Sequence, residues 1–268
     1  MSISFDLLLP HLPVWLLVLF RLTGIFVTAP MFGSLTIPVQ IRVFWVISLS
    51  FCIYPTLLTV GRPASELIAP ILGQGLSFWM LVPAVATELL VGHVIGYGAS
   101  LPMIGMQVSG RVVDQQLGTA LGGVFNPELD EQTGVIGQFY FILALALFLI
   151  LDGHRVMVHI LVGSFDTIPL GAFRPDLRLL DLLVALLGAM FDLAIRVAAP
   201  LLCLIFLETL AMGFIIRTVP QINILSIGFP LRIMVGVGLL VGAIGINAHV
   251  YVETMRRTLR SIGIYFGF

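Results

Sequence analysis

Charge-free apolar runs dominate the chain, at 22–41, 43–61, 67–87, 89–110, 132–151 and 233–252. Each approaches the ~20 residues that an α-helix needs to cross a bilayer. A seventh region, 179–216, is apolar but interrupted by Asp181, Asp192, Arg196 and Glu208. Merging runs split by one charge predicts about six long hydrophobic elements. A helix that is apolar on every side shows little periodicity. Leu- and Ala-rich stretches such as 141–153 still favour helix, and no ten-residue alternation points to a membrane barrel. The fold class is therefore all-α and membrane-associated.

One stretch breaks the pattern. Residues 217–232, RTVPQINILSIGFPLR, lie between two apolar runs yet carry Pro220, Gln221, Asn223, Gly228, Pro230 and two arginines. Unsatisfied amides in hydrocarbon cost several kcal/mol each, so irregular backbone at such a place requires surrounding protein or a water-filled passage. Pro55, Pro70, Pro83, Pro102 and Pro200 are further positions expected to kink or end helices, and Arg21 and Arg42 stand in or beside apolar elements. Such elements suit packing against neighbouring subunits better than exposure to lipid.

Composition agrees. Hydrophobic residues make up 59% of the 268 and charged residues 10%, where a soluble domain carries about a quarter charged. Mean hydropathy is +1.11. No composition break marks a second, soluble domain. The net charge of −1 gives no basic surface for nucleic acid. All thirteen basic residues are arginine, the cation better suited to buried and interfacial pairing; a GC-rich genome explains the bias as well. Cys52 and Cys203 lie inside apolar runs and read as buried small hydrophobes rather than a disulfide. The first apolar run has no basic leader or small-residue cleavage site, so a removable signal peptide is not expected.

Two polar segments read as loops, about 107–134 and 172–181. Gly92 and Gly96, Gly118 and Gly122, and the series Gly236, Gly238, Gly242 and Gly245 have the spacing that lets helices approach closely. Asp181, Asp192 and Arg196 fall within about 60° of one helical face. Asp192 and Arg196 are placed to pair, and a buried pair at a subunit contact explains them better than an ion path.

No constellation supports catalysis. Asp152 and His154 sit at an expected helix end. His154 and His159, like Glu88 and His93, are five apart and share no helical face. There is no nucleophile elbow, phosphate loop or dinucleotide fingerprint. No enzyme activity and no cofactor or metal are expected. A secondary transporter fits broken helices and midplane charges, but no two-fold internal repeat is visible.

Several motifs occur together: APMFG at 29–33, IPVQIR at 37–42, GHVIGYG at 92–98, QVSGRVVDQQLG at 107–118, LDGHR at 151–155, GSFDTIPLG at 163–171 and PQINILSIGFPLR at 220–232. In this order and spacing they resemble the FliR/SctT family of type III secretion export-gate subunits, over nearly the whole chain. The segments at 113–118 and 163–171 resemble the flagellar branch more than the virulence-secretion SctT proteins, which are the alternative. Arg232 and Asn126 depart from the lysine and aspartate frequent in the family.

The resemblance implies a core subunit of the flagellar export gate, in the bacterial inner membrane within the basal body. It implies a FliP-like portion at about 1–178 and a FliQ-like helical hairpin at about 179–268, packed in a helical hetero-oligomer. FliP, FliQ, FlhB and FlhA are the implied partners, and unfolded flagellar subunits the cargo. The segment matching 107–125 implies a pore plug formed by Gln107, Gly110, Asp114, Gln115, Gln116, Gly118, Gly122, Gly123, Val124 and Phe125. Its glycines would allow a loop to rearrange, its polar residues would meet water, and Val124 and Phe125 would seal the pore. Met103 and Met106 read as core filler. Pro220, Gln221, Asn223, Gly228 and Pro230, with Asp192 and Arg196, are the implied subunit contacts.

Overall fold

The computed structural model describes residues 11–30, 32–33, 37–59, 78–118, 134–218 and 224–267. These form seven helices and no strand: α1 His11–Thr28, α2 Val39–Thr59, α3 Phe78–Leu117, α4 Val135–Ile150, α5 Gly153–Thr167, α6 Leu177–Thr218 and α7 Ile224–Tyr265. By length and composition five of the described helices can cross a membrane, or six spans if the bent pair α4 and α5 counts as one.

The apolar runs and the helices differ at their ends. The run 22–41 is broken, because α1 stops at Thr28 and α2 starts at Val39. Pro38 supplies the carbonyl that receives the Ile41 and Arg42 N–H groups at 3.0 and 3.3 Å. Conversely, the runs on either side of Glu88 join in the single helix α3. The charge does not end the helix because it is neutralised inside the fold. Pro55, Pro83, Pro102 and Pro200 end no helix either; each stands within one, and Pro70 lies outside the described residues.

Helices α3, α6 and α7 have 40, 42 and 42 residues. At 1.5 Å per residue each is about 60 Å long, twice the thickness of a hydrocarbon core. The apolar window of α3 is 72% buried, whereas those of α2 and α7 are 17% buried. Helix α3 is thus core, and the other two leave most of their apolar surface uncovered by this chain. Cys52 and Cys203 are exposed free thiols, which corrects the expectation of burial: in such a chain an apolar neighbourhood does not imply an interior.

Contacts divide the chain into two compact units, 1–100 with 152–185 and 258–268, and 101–151 with 186–257. In the first, Val14, Leu17, Val18 and Leu22 of α1 are buried together with Val91, Ile95 and Ala99 of α3. Glycine sets the spacing between these helices. A Cβ on Gly24 would stand 2.7 Å from His93 N and 2.9 Å from Gly92 Cα, and one on Gly96 would stand 3.0 Å from Ile25 O. Trp15 and Phe51 pack α1 on α2 with ring centroids 5.1 Å apart.

In the second unit, Met103 and Met106 of α3, Tyr140 and Phe148 of α4, Leu193 and Val197 of α6, and Tyr251 and Met255 of α7 form the core. Asn247 donates to Tyr140 Oη at 2.8 Å. Gly110 approaches α4 closely, since a Cβ there would lie 2.6 Å from Gly137 Cα. Gly238, Gly242 and Gly245 have open space around them in this chain.

Candidate functional site

The segment 107–117 is not a loop but the last eleven residues of α3. Its buried positions, Ser109, Gly110, Val113, Asp114 and Leu117, recur at helical spacing, while Arg111, Gln115 and Gln116 are exposed. Gln107 is half-buried. Gly110 lies within this helix and serves close packing on Gly137, not backbone freedom. Among the described glycines of this segment, Gly118, at φ 77°, adopts the left-handed turn that terminates a helix. Gly122, Gly123, Val124 and Phe125 lie outside the described residues.

Asp114 does not face water as its polarity suggests. It is 1% exposed and its carboxylate accepts the Ile136 N–H at 3.2 Å and the Gly137 N–H at 2.9 Å. A helix start leaves its first N–H groups without intrahelical partners and carries partial positive charge. Asp114 therefore caps α4 from α3 and ties the two helices at those ends.

The irregular stretch 217–232 also shrinks. Arg217 and Thr218 end α6, and Ile224 begins α7. Gly228, which is buried, and Pro230, which is exposed, belong to the start of α7. Pro220, Gln221 and Asn223 fall in 219–223, outside the described residues. At most five residues separate two helices of 42.

Arg232 brings these two regions together. Its Nε donates to Glu208 Oε2 at 3.1 Å, Nη2 to Thr209 Oγ1 at 2.8 Å and Nη1 to the Gln116 carbonyl at 3.4 Å. The Arg232 side chain is 31% exposed and that of Glu208 9%. The Gln116 carbonyl is among those an α-helix leaves unpaired at its C-terminus, where a cation is favoured.

Asp192 and Arg196 form an i,i+4 ion pair of 2.8 Å with both side chains more than half exposed. They are not buried within this chain, and Asp181 is exposed as well. Asp152 holds the turn between α4 and α5 with φ 54°, and its carbonyl accepts from Arg155 and Val156. Its carboxylate makes no capping bond. Among the described residues no three His, Cys, Asp or Glu side chains converge as a metal site would require.

Sequence reasoning missed a second arginine-centred network. Arg21 and Glu88 are both fully buried and pair at 2.5 Å, with a second bond of 3.1 Å. Arg21 also donates to Ser164 Oγ at 3.0 Å and to the Ile168 carbonyl at 3.2 Å, and its guanidinium lies 4.3 Å from the Phe165 ring centroid. Glu88 accepts the Gly171 N–H at 2.7 Å. Two opposite charges, each alone in an apolar run, were the available signal.

A model of the family described as "Bacterial export proteins, family 1" matches residues 12–258. The flagellar biosynthetic protein FliR of Bacillus subtilis (strain 168) is 29% identical over 94% of this chain and 96% of its own length. That of Escherichia coli (strain K12) is 28% identical over 83% and 80%. The Yop proteins translocation protein T of Yersinia pestis is 26% identical over 85% and 84%.

Proposed function

This chain belongs to the bacterial export proteins, family 1, and we propose that it is a core subunit of the flagellar type III protein export gate. The observation that carries this reading is the likeness to flagellar relatives over almost the full length of both chains. The virulence-secretion relative is similar too, at slightly lower identity, and is the second reading. The family is one of membrane-embedded export-apparatus subunits, not of enzymes.

The finer assignment follows from the family and from surface chemistry. In it the chain sits in the inner membrane within the basal body and joins FliP, FliQ, FlhB and FlhA to pass unfolded flagellar subunits. Helices about twice as long as a bilayer core is thick, with exposed side chains such as Phe44, Phe191, Phe214 and Met234, suit burial against sister subunits. The open faces of Gly238, Gly242 and Gly245 offer close helix approach. In the family-based division, about 1–178 is the FliP-like portion and about 179–268 the FliQ-like hairpin.

Gate closure falls to the end of α3 and the segment that follows it, from Gln107 to Phe125. Asp114 fixes the root of that element to α4. Asp192, Arg196, Gly228 and Pro230, with Pro220, Gln221 and Asn223, are assigned to subunit contacts. The decisive experiment is co-expression of a tagged copy with its neighbouring FliP- and FliQ-like genes, followed by native mass spectrometry. One copy of this chain among several partner copies is the expected result; a solitary monomer or homodimer would sink the proposal.

A further inference from the structure

The Arg232 network has a division of labour that the family reading does not assign. Two of its bonds go to α6, to Glu208 and Thr209, and the third reaches across to the terminal carbonyl region of α3 at Gln116. The α6 bonds are the shorter, at 3.1 and 2.8 Å against 3.4 Å. Glu208, 9% exposed, keeps the cation in place, while Arg232 retains 31% exposure through which water can replace a lost partner. The bond to Gln116 can therefore break while the ion pair holds. By contrast, Asp114 two residues earlier is sealed and offers no such release.

We infer that Arg232 is a positioning residue that latches the C-terminal end of α3 to the α6–α7 hairpin, releasably at Gln116 and permanently at Glu208. A partner that shifts the hairpin would then move, or free, the end of α3. This rests on the proposal that the end of α3 belongs to the gate. The three-point form of the latch belongs to arginine, and the lysine frequent at this position in the family would keep the ion pair with fewer of the other bonds. Three nitrogens of one planar group meet three acceptors on two helices, which the single point of a lysine ammonium cannot reproduce.

The test uses the co-expressed complex with Cys52→Ser and Cys203→Ser, spin-labelled at Gln115→Cys and Leu207→Cys, both exposed positions. Arg232→Lys and Arg232→Gln are compared with the parent for complex yield, label-to-label distance and ion leak in liposomes. The expected result is unchanged yield in Arg232→Lys with the undocked population raised about two- to fivefold, the low end of what one hydrogen bond carries, as a 3.4 Å bond requires. Arg232→Gln should undock at least as much. Distances in Arg232→Lys identical to the parent overturn the latch. Failure of Arg232→Lys to assemble also overturns it, assigning the residue to folding alone. Undocking without added leak supports the latch and refutes the gate assignment beneath it.

Discussion

Arg21 and Arg232 each stand in an apolar helix and each meet a glutamate from another helix, yet they are built for opposite ends. Arg21 is enclosed with its partners, the carboxylate of Glu88, the Ser164 hydroxyl and the Ile168 carbonyl. Arg232 is one-third open and shares its donors between a firm ion pair and one long bond. A buried pair stripped of one member leaves an uncompensated charge in a medium that cannot solvate it. A partly exposed cation that loses a partner takes water instead. Enclosure makes an interaction all-or-none, and exposure makes it adjustable.

The largest effect should come from unbalancing the enclosed pair. Arg21→Ala or Glu88→Ala should cost ~3–5 kcal/mol, because the partner charge is stranded. Thermal unfolding of the detergent-purified complex would show this, or expression would fail outright. Replacing both with apolar residues, Arg21→Met with Glu88→Leu, should restore most of the loss. A double variant as poor as the singles would mean that the network's other partners matter more than its charge balance.

Next comes steric intrusion in the same unit. Gly92→Ala should destabilise by ~1–3 kcal/mol, since its Cβ would meet the Arg21 carbonyl, which is main chain. Differential scanning calorimetry would register the lower midpoint. An unchanged midpoint would mean that the α1–α3 spacing is softer than the contact implies.

In the other unit, Asp114→Ala removes the cap of α4 and should cost ~0.5–2 kcal/mol, the usual range for a helix start without its acceptor. Hydrogen exchange at Ile136 and Gly137 is the local probe, and protection there equal to the parent would refute the capping role. Smallest of all, the exposed pair Asp192 and Arg196 should be dispensable to the chain itself. Asp192→Asn with Arg196→Gln should leave the melting curve unmoved. A fall in complex yield for that variant alone would identify the pair as covered by a partner.

Much of the helical content was legible, because apolar runs of bilayer length have few other options. Their ends were less so. Glu88 read as a separator between two runs, since its counter-charge Arg21 lies 67 residues away in sequence. At 107–117 the glycines and glutamines suggested a loop, although Gly110, Val113, Asp114 and Leu117 mark one buried helical face. Asp114 looked like a water-facing carboxylate because its partners are main-chain N–H groups, which no side-chain pattern reveals. The cysteines erred for a more general reason: when lipid or partners cover the surface, hydrophobicity no longer separates inside from outside.

The contact of Gly24 with Gly92 carries a consequence for how this sequence can drift. At most crowded positions a larger residue can be accommodated later by a smaller one opposite. Here the obstacle to a Cβ on Gly92 is the carbonyl of Arg21, and that on Gly24 is main chain of α3, so no second substitution can make room. The pair is a locked door on the mutational path, open only to a lineage that first moves two helices apart. The neighbourhood of Arg232, by contrast, can be explored one substitution at a time, keeping the charge while the latch is tuned or lost.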